Sequence, residues 1–290
     1  MSDVPITKAS VFTDEISQDW EEAVKTAAEA GLKFVDIRST WGKSCSELVK
    51  ADWVKMAEIM ERCGVQMGAI QSPFGKVNIE EEDYKTHLAF LPNLIEQAHF
   101  FGTNVIRIFP FWQPDHTVKA VRDNLQPMLP QIVKQMRRAT KLAEQEGVFL
   151  AFEPEHSTYS GSPSEIRTII DAVDSPALKV AWDVSNGWMA DEPIFPNGYE
   201  QVKGLVVNVH VKDRAFEPGK EQGRRLPCLL GTGLVPWPKV MLTLKADGFT
   251  GVYTIETHFH GTQTKYGWPK LKAATTWYMY ALRELLEENA

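Results

Sequence analysis

Residues 141–156 read KLAEQEGVFLAFEPEH. The opening letters close a helical pattern, Val118–Glu146, that stops at Gly147. A glycine there can take the left-handed conformation that ends a helix. The next run, Val148–Glu153, is apolar almost throughout and finishes on a carboxylate, with Glu155 and His156 just beyond. An apolar run this short, bounded in this way, predicts a strand buried on both faces of a parallel sheet.

The same cadence recurs along the chain. Further strands are expected at Ala9–Thr13, Phe34–Arg38, Gln66–Gln71, Asn104–Phe109, Lys179–Asp183, Leu205–Val211 and Val252–Glu256. Helices are expected at Asp19–Ala30, Asp52–Cys63 and Glu82–Phe101, each running into a glycine (Gly31, Gly64, Gly102). Ser164–Val173, Pro238–Ala246 and Leu271–Glu288 supply later helices, and the helix before strand seven is short and poorly marked. Eight strand–helix units at about 36 residues each suit a single (β/α)8 TIM barrel over residues 1–290. A doubly wound open sheet would use fewer strands and often a glycine-rich phosphate turn, and no GxGxxG follows strand one.

Composition narrows the function. The chain has 290 residues, is 43% hydrophobic and 24% charged, and carries a net charge of −7, which argues against a nucleic-acid partner. Its three cysteines (Cys45, Cys63, Cys228) build neither a disulfide framework nor a CxxC site, so a reducing, cytoplasmic compartment is expected. No signal peptide is read at the N-terminus, and no apolar run reaches the ~18 residues of a membrane span.

In such barrels chemistry sits where strands end. Strand five ends at Glu153, strand six at Asp183 in AWDVSN, strand seven near His210 in NVHVKD, and strand eight at Glu256 in YTIETHFH. One unit separates each pair, so four adjacent strands each bring one metal-ligand type of side chain. Three carboxylates at one mouth repel unless a cation neutralises them or one takes up a proton. Carboxylates with a single imidazole suit one divalent ion, Mn²⁺ first, with Mg²⁺, Co²⁺ or Zn²⁺ as alternatives. Each residue also has a plainer reading, as a helix cap or a hydrogen-bonded structural histidine. Four on successive strands favour the metal.

FTDEIS, VDIRSTWGK, EPEH, WDVSN, HVKD, GTGLVPWPKVMLTLKADGFTG and TIETH together resemble the sugar phosphate isomerase/epimerase family. That family lies in the xylose isomerase-like barrel superfamily, which also contains endonuclease IV. The resemblance runs from about Val11 to Glu284. It implies a mononuclear metal site of Glu153, Asp183, His210 and Glu256, with Glu153 and Glu256 doubling as the acid/base pair. The implied chemistry is proton removal next to a carbonyl. A metal steadies the developing enediolate, one carboxylate takes the proton and the other returns it.

Departures are visible too. Family members often have a histidine where Asn186 stands, and another where Asn208 stands. Asn can donate a hydrogen bond but cannot shuttle a proton at neutral pH. The loop after strand seven holds Arg214, Arg224 and Arg225, and an arginine there suits substrate oxygens or is simply solvated. Lys212 polarises a carbonyl or pairs with Asp213. The expected substrate-binding set is Asn186, Lys212, Arg214, Trp112, Glu155 and His258, with Trp41, Trp112, Trp188 and Phe259 as apolar walls. Arg38 and Gln71 face the pocket, or Arg38 pairs with a carboxylate such as Glu15. Trp53 and Trp277 are expected in the core.

The expected activity is a metal-dependent isomerase or epimerase on a keto sugar or related polyol. The rival is a lyase or dehydratase on the same site. An endonuclease IV-like reading needs further histidines at the middle strands, where Gln71 and Phe109 stand. A sugar-binding barrel without turnover would not need opposed glutamates. A carbohydrate is the expected small-molecule partner, with no membrane partner, and family habit suggests a homodimer or homotetramer.

Overall fold

The computed structural model describes residues 8–114, 125–190, 192–258 and 271–288. Its principal strands are β1 Ala9–Val11, β2 Phe34–Ile37, β3 Gln66–Gln71, β4 Val105–Ile108, β5 Phe149–Phe152, β6 Leu178–Asp183, β7 Val206–Val211 and β8 Val252–Ile255. They form one sheet in the order β1-β8-β7-β6-β5-β4-β3-β2. A parallel bridge between Phe12 and Asp36, just past β1 and within β2, brings the first and second strands together as well. The result is a nearly closed barrel of eight parallel strands with helices between them, the (β/α)8 architecture.

The helices are α1 Trp20–Glu29, α2 Lys50–Cys63, α3 Glu81–Phe101, α4 Leu125–Glu146, α5 Pro163–Val173, α6 Tyr199–Val202, α7 Trp237–Ala246 and α8 Leu271–Glu288. Their ends follow from local chemistry. Asp19 accepts the Glu22 amide at 2.9 Å and starts α1, while Ser162 and Glu165 cap α5 reciprocally with Pro163 in the first turn. Gly31, Gly64, Gly102 and Gly147 all have positive φ where their helices stop, as the sequence predicts. The expected N-terminal part of α4, from Val118, lies outside the described residues.

Contacts group the chain into two compact units. One comprises the chain up to Lys43, Val49–Gly68 and the chain from Val209 onward; the other comprises Ser44–Leu48 and Ala69–Asn208. In the first, buried Asp36 accepts hydrogen bonds from Ser10 Oγ at 2.5 Å and Thr254 Oγ1 at 2.9 Å, tying β1, β2 and β8. In the second, Ala69, Val105, Ala151 and Ala181 from β3 to β6 pack with Val207 of β7 as a small-residue cluster. Trp53 is buried as expected, but Trp277 is 53% exposed on α8, a correction to its expected core position. The inner face of α8 is instead filled by Ala274, Tyr278 and Leu282, four residues apart, and Trp277 falls off that stripe.

The stretch read as a long loop after strand seven is ordered differently. Asp213–Phe216 and Arg225–Cys228 form an antiparallel hairpin. Its root is the Asp213 carboxylate, which accepts the backbone amides of Arg214, Gly231, Gly233 and Val235. No helix among the described residues is long and apolar enough to cross a membrane.

Candidate metal centre

Glu153 follows β5 directly, and its amide continues the ladder to the Ile108 carbonyl at 3.2 Å. Its side chain is 4% exposed; Oε2 accepts a hydrogen bond from Arg107 Nη1, and Oε1 accepts one from Asn186 Nδ2 at 3.3 Å. Arg107 comes from β4, donates through Nη2 to the Gln71 carbonyl at 2.9 Å, and lies over the Phe109 ring at 4.7 Å. Asp183 ends β6 and is fully buried. Its Oδ1 accepts the amides of Ser185 and Asn186, both at 2.9 Å, in a turn that fixes the carboxylate by its own backbone.

β7 places Asn208, His210 and Lys212 on one face by its two-residue period, and all three are buried. The His210 ring meets Phe12 edge-on at 5.2 Å between centroids. Glu256, just past β8, is 2% exposed. Its Oε2 lies 2.9 Å from Lys212 Nζ and 3.5 Å from His210 Nδ1. Its Oε1 lies 2.9 Å from Arg38 Nη1 and 3.0 Å from His258 Nε2. Burial works against a charged Glu256, but Lys212 and His258 outweigh it and hold the carboxyl well below the usual range. Burial, helped by the charge of Glu256, pushes the neighbouring Glu15 carboxyl up instead.

One ligand atom from each of Glu153, Asp183, His210 and Glu256 lies within 4.8 Å of the other three, and all four residues are buried. Arg107 offsets the charge of Glu153, and Arg38 and Lys212 that of Glu256. What fits a divalent ion is the chemistry of the donor set: hard carboxylate oxygens with one imidazole, close together and buried, capable of binding Mg²⁺, Mn²⁺ or a similar metal.

The other expected site residues fall in several places. Asn186 supports Glu153 and also donates to the Pro154 carbonyl at 2.7 Å. Lys212 turns to Glu256; the expected alternative partner, Asp213, has its carboxylate taken up by the hairpin amides described above. His258 reaches back to Glu256 from a backbone with φ of +46°. Arg214 is part of the hairpin, its Nη1 reaching the Arg225 carbonyl at 3.5 Å. Glu155 pairs with His156 at 2.9 Å and Lys76 at 3.4 Å; burial opposes its charge, but those two partners bring its carboxyl far below the ordinary value. Trp112 bridges to Thr158 and faces Lys76 Nζ at 5.6 Å. Gln71 is buried and donates to Asn208 Oδ1 at 3.3 Å. Arg38 pairs with Asp14 at 2.8 Å and with Glu256, and is 3.9 Å from Glu15. Phe259 lies outside the described residues, as does His260.

Sequence reasoning missed Arg107 as a partner of Glu153. The signal was present, because a lone arginine inside NVIRIF needs a buried anion.

Comparison with known proteins agrees with this architecture. The family model described as "Xylose isomerase-like TIM barrel" matches residues 24–278. A 3-oxo-isoapionate decarboxylase of Pectobacterium atrosepticum is 35% identical over 88 residues, which make up 29% of this chain and 30% of that protein. The chain thus spans less than a third of the curated relative it matches. Among solved structures, a xylose isomerase-like TIM barrel protein from Mycobacterium smegmatis, in complex with magnesium, superposes with a TM-score of 0.72 at 18% identity over 93% of this chain and 89% of the other. D-allulose 3-epimerase from Methylomonas sp., in complex with D-allulose, gives 0.70 at 15% identity over 98% and 97%. At such identities the structural likeness speaks for the fold, and the family match, which extends from α1 into α8, speaks for kinship: the chain belongs to the xylose isomerase-like TIM barrel family.

Proposed function

We propose that the protein is a divalent-metal-dependent isomerase or epimerase acting on a keto sugar or related polyol through an enediolate. The observation that carries this reading is the buried Glu153–Asp183–His210–Glu256 cluster. These four residues would hold the metal, Mn²⁺ in first place and Mg²⁺ next. When bound, the ion supplies a positive charge that steadies substrate oxygens as negative charge develops on them. One glutamate of the Glu153/Glu256 pair removes the proton next to the carbonyl, and the other returns it. Return to the same carbon from the opposite face inverts that centre; return to the adjacent carbon interconverts aldose and ketose. Asn186, Lys212, Arg214, Trp112, Glu155 and His258 form the proposed substrate-binding set. Lys212 is suited to meet an oxyanion, because its buried Nζ stands 2.9 Å from Glu256, beside the proposed acid/base group.

A second reading, a lyase on the same site, is favoured by the stretch shared with the decarboxylase. Loss of carbon dioxide from a β-keto acid leaves an enolate, or an enediolate where the carbon that bore the carboxylate also bears a hydroxyl, without a proton-abstracting base. Only the protonating group is then needed, and the cations Arg38 and Lys212 at Glu256 suit an anionic substrate.

The test is proton exchange in D₂O, followed by NMR on the Mn²⁺-loaded protein with an EDTA control. The panel holds ketoses, their phosphates, inososes, 3-keto-glucosides and β-keto sugar acids. Metal-dependent deuterium uptake next to a carbonyl is expected, with Glu256→Gln slowing it by about 10²–10⁴-fold. Unimpaired turnover by Glu256→Gln would overturn the acid/base pairing. Carbon dioxide release without prior exchange would select the lyase.

A further inference from the structure

Glu15 follows β1 on the short turn Thr13–Glu15 and is 2% exposed. Its Oε2 accepts the Thr257 amide at 2.6 Å and the Thr257 hydroxyl at 3.0 Å. Its Oε1 accepts the His258 amide at 3.3 Å. One buried carboxylate from the start of the chain thus takes both backbone N–H groups that come directly after Glu256. Its own carbonyl accepts from Thr275 Oγ1 on α8 at 3.3 Å, so Glu15 is itself held in place.

The geometry of the turn shows what this does. His258 has φ of +46°, a left-handed conformation that a non-glycine residue keeps only where its surroundings enforce it. The Glu15 hydrogen bonds supply that enforcement. The turn folds the His258 imidazole back until Nε2 is 3.0 Å from Glu256 Oε1, the same oxygen that faces Arg38 Nη1. Arg38 is in turn kept over the Phe12 ring at 4.6 Å and against Asp14. The Glu256 carboxylate is therefore oriented by a frame whose backbone anchor is Glu15.

We infer that Glu15 is a positioning residue for Glu256: by gripping the Thr257–His258 turn it sets the direction in which Glu256 presents its carboxylate to the metal and the substrate. The inference rests on Glu256 being a metal ligand, as proposed above. A glutamate buried only for stability would change unfolding and leave metal affinity alone.

The experiment measures Mn²⁺ affinity by electron paramagnetic resonance, with thermal unfolding in parallel, for wild type, Glu15→Gln and Thr257→Val. Glu15→Gln keeps the shape but sets an amide NH₂ against one of the N–H donors. Thr257→Val removes only the hydroxyl contact and keeps the turn foldable if the first variant fails. Partners beyond the ligand shell typically change metal affinity by 10–100-fold. The expected result is a Kd for Mn²⁺ raised about tenfold or more in Glu15→Gln, and a smaller rise of the same sign in Thr257→Val. Affinities within twofold of wild type in both folded variants, whatever happens to Tm, would overturn the inference and leave the metal site standing. A wild type that binds no divalent ion would overturn both.

Discussion

Arg107 donates to Glu153 through one guanidinium nitrogen and to the Gln71 carbonyl through another, at 2.9 Å, so a single buried cation links the carboxyl ends of β3, β4 and β5. The two charged side chains are 6% and 4% exposed, and neither has water to fall back on if the other is removed. Breaking a buried pair by deleting one partner costs about 3–5 kcal/mol, because the survivor stays desolvated. Arg107→Met is therefore expected to lower stability by that order in urea unfolding with EDTA present. Adding Glu153→Gln to it should recover a large part. A double variant as unstable as the sum of the two single ones would show that the residues are not coupled.

Gly75 joins the loop after β3 to the chain beyond β4. Phe109, Phe111 and Trp112 donate backbone hydrogen bonds to Phe74, Gly75 and Val77 at 2.8, 3.0 and 3.0 Å. The glycine has φ of +84°, and a Cβ there would stand 1.7 Å from the Phe109 carbonyl oxygen. Gly75→Ala should therefore force the two strands of this strap apart and cost about 2 kcal/mol or more. Equilibrium unfolding measures it; a variant within 0.5 kcal/mol of wild type, roughly the effect of an ordinary surface change, would refute the account.

His87 accepts the Gly75 amide on Nδ1 at 2.9 Å, and burial lowers its pKa from 6.5 to about 4. The folded protein thus favours the neutral ring, whereas the unfolded chain protonates near pH 6.5. Its contribution to stability is complete above that value and is lost as pH falls towards 4. Partial exposure of the ring trims the effect. The urea midpoint of wild type should drop between pH 7.5 and pH 5 by more than that of His87→Gln, and equal drops would remove His87 from the explanation.

Metal binding to the four-residue cluster should stabilise the fold by mass action. At a free ion concentration of one hundred times Kd the gain is about 2.7 kcal/mol, which thermal unfolding reads as a rise of several degrees. EDTA should reverse it, and Asp183→Asn or His210→Ala should remove most of it. The same rise in those variants would place the ion elsewhere.

Much of this was legible in the chain because periodicity and punctuation are local. The runs at Gln66–Gln71 and Leu271–Glu288 coincide with the observed β3 and α8, and the other edges among the described residues shift by a residue or two as element ends fray, the expected start of α4 at Val118 lying outside those residues. Glu153, Asp183, His210 and Glu256 stood out because a charged or imidazole side chain closing an apolar run is a local anomaly. The hairpin at Asp213–Cys228 was not legible, since its order depends on Asp213 reaching backbone amides at Gly231, Gly233 and Val235, about twenty residues on.

The sequence by itself determined the eight-unit barrel, because glycine stops and buried apolar strands need only their near neighbours to declare themselves. It also determined which four side chains stand at successive strand ends. Tertiary structure alone decided their company: Arg107 for Glu153, and Arg38, Lys212 and His258 for Glu256. It alone brought Glu15 to the turn at Thr257–His258, 242 positions away along the chain. The physical reason is that a buried charge must be answered by whatever the fold brings within about 3 Å. No local pattern encodes which distant residue that will be.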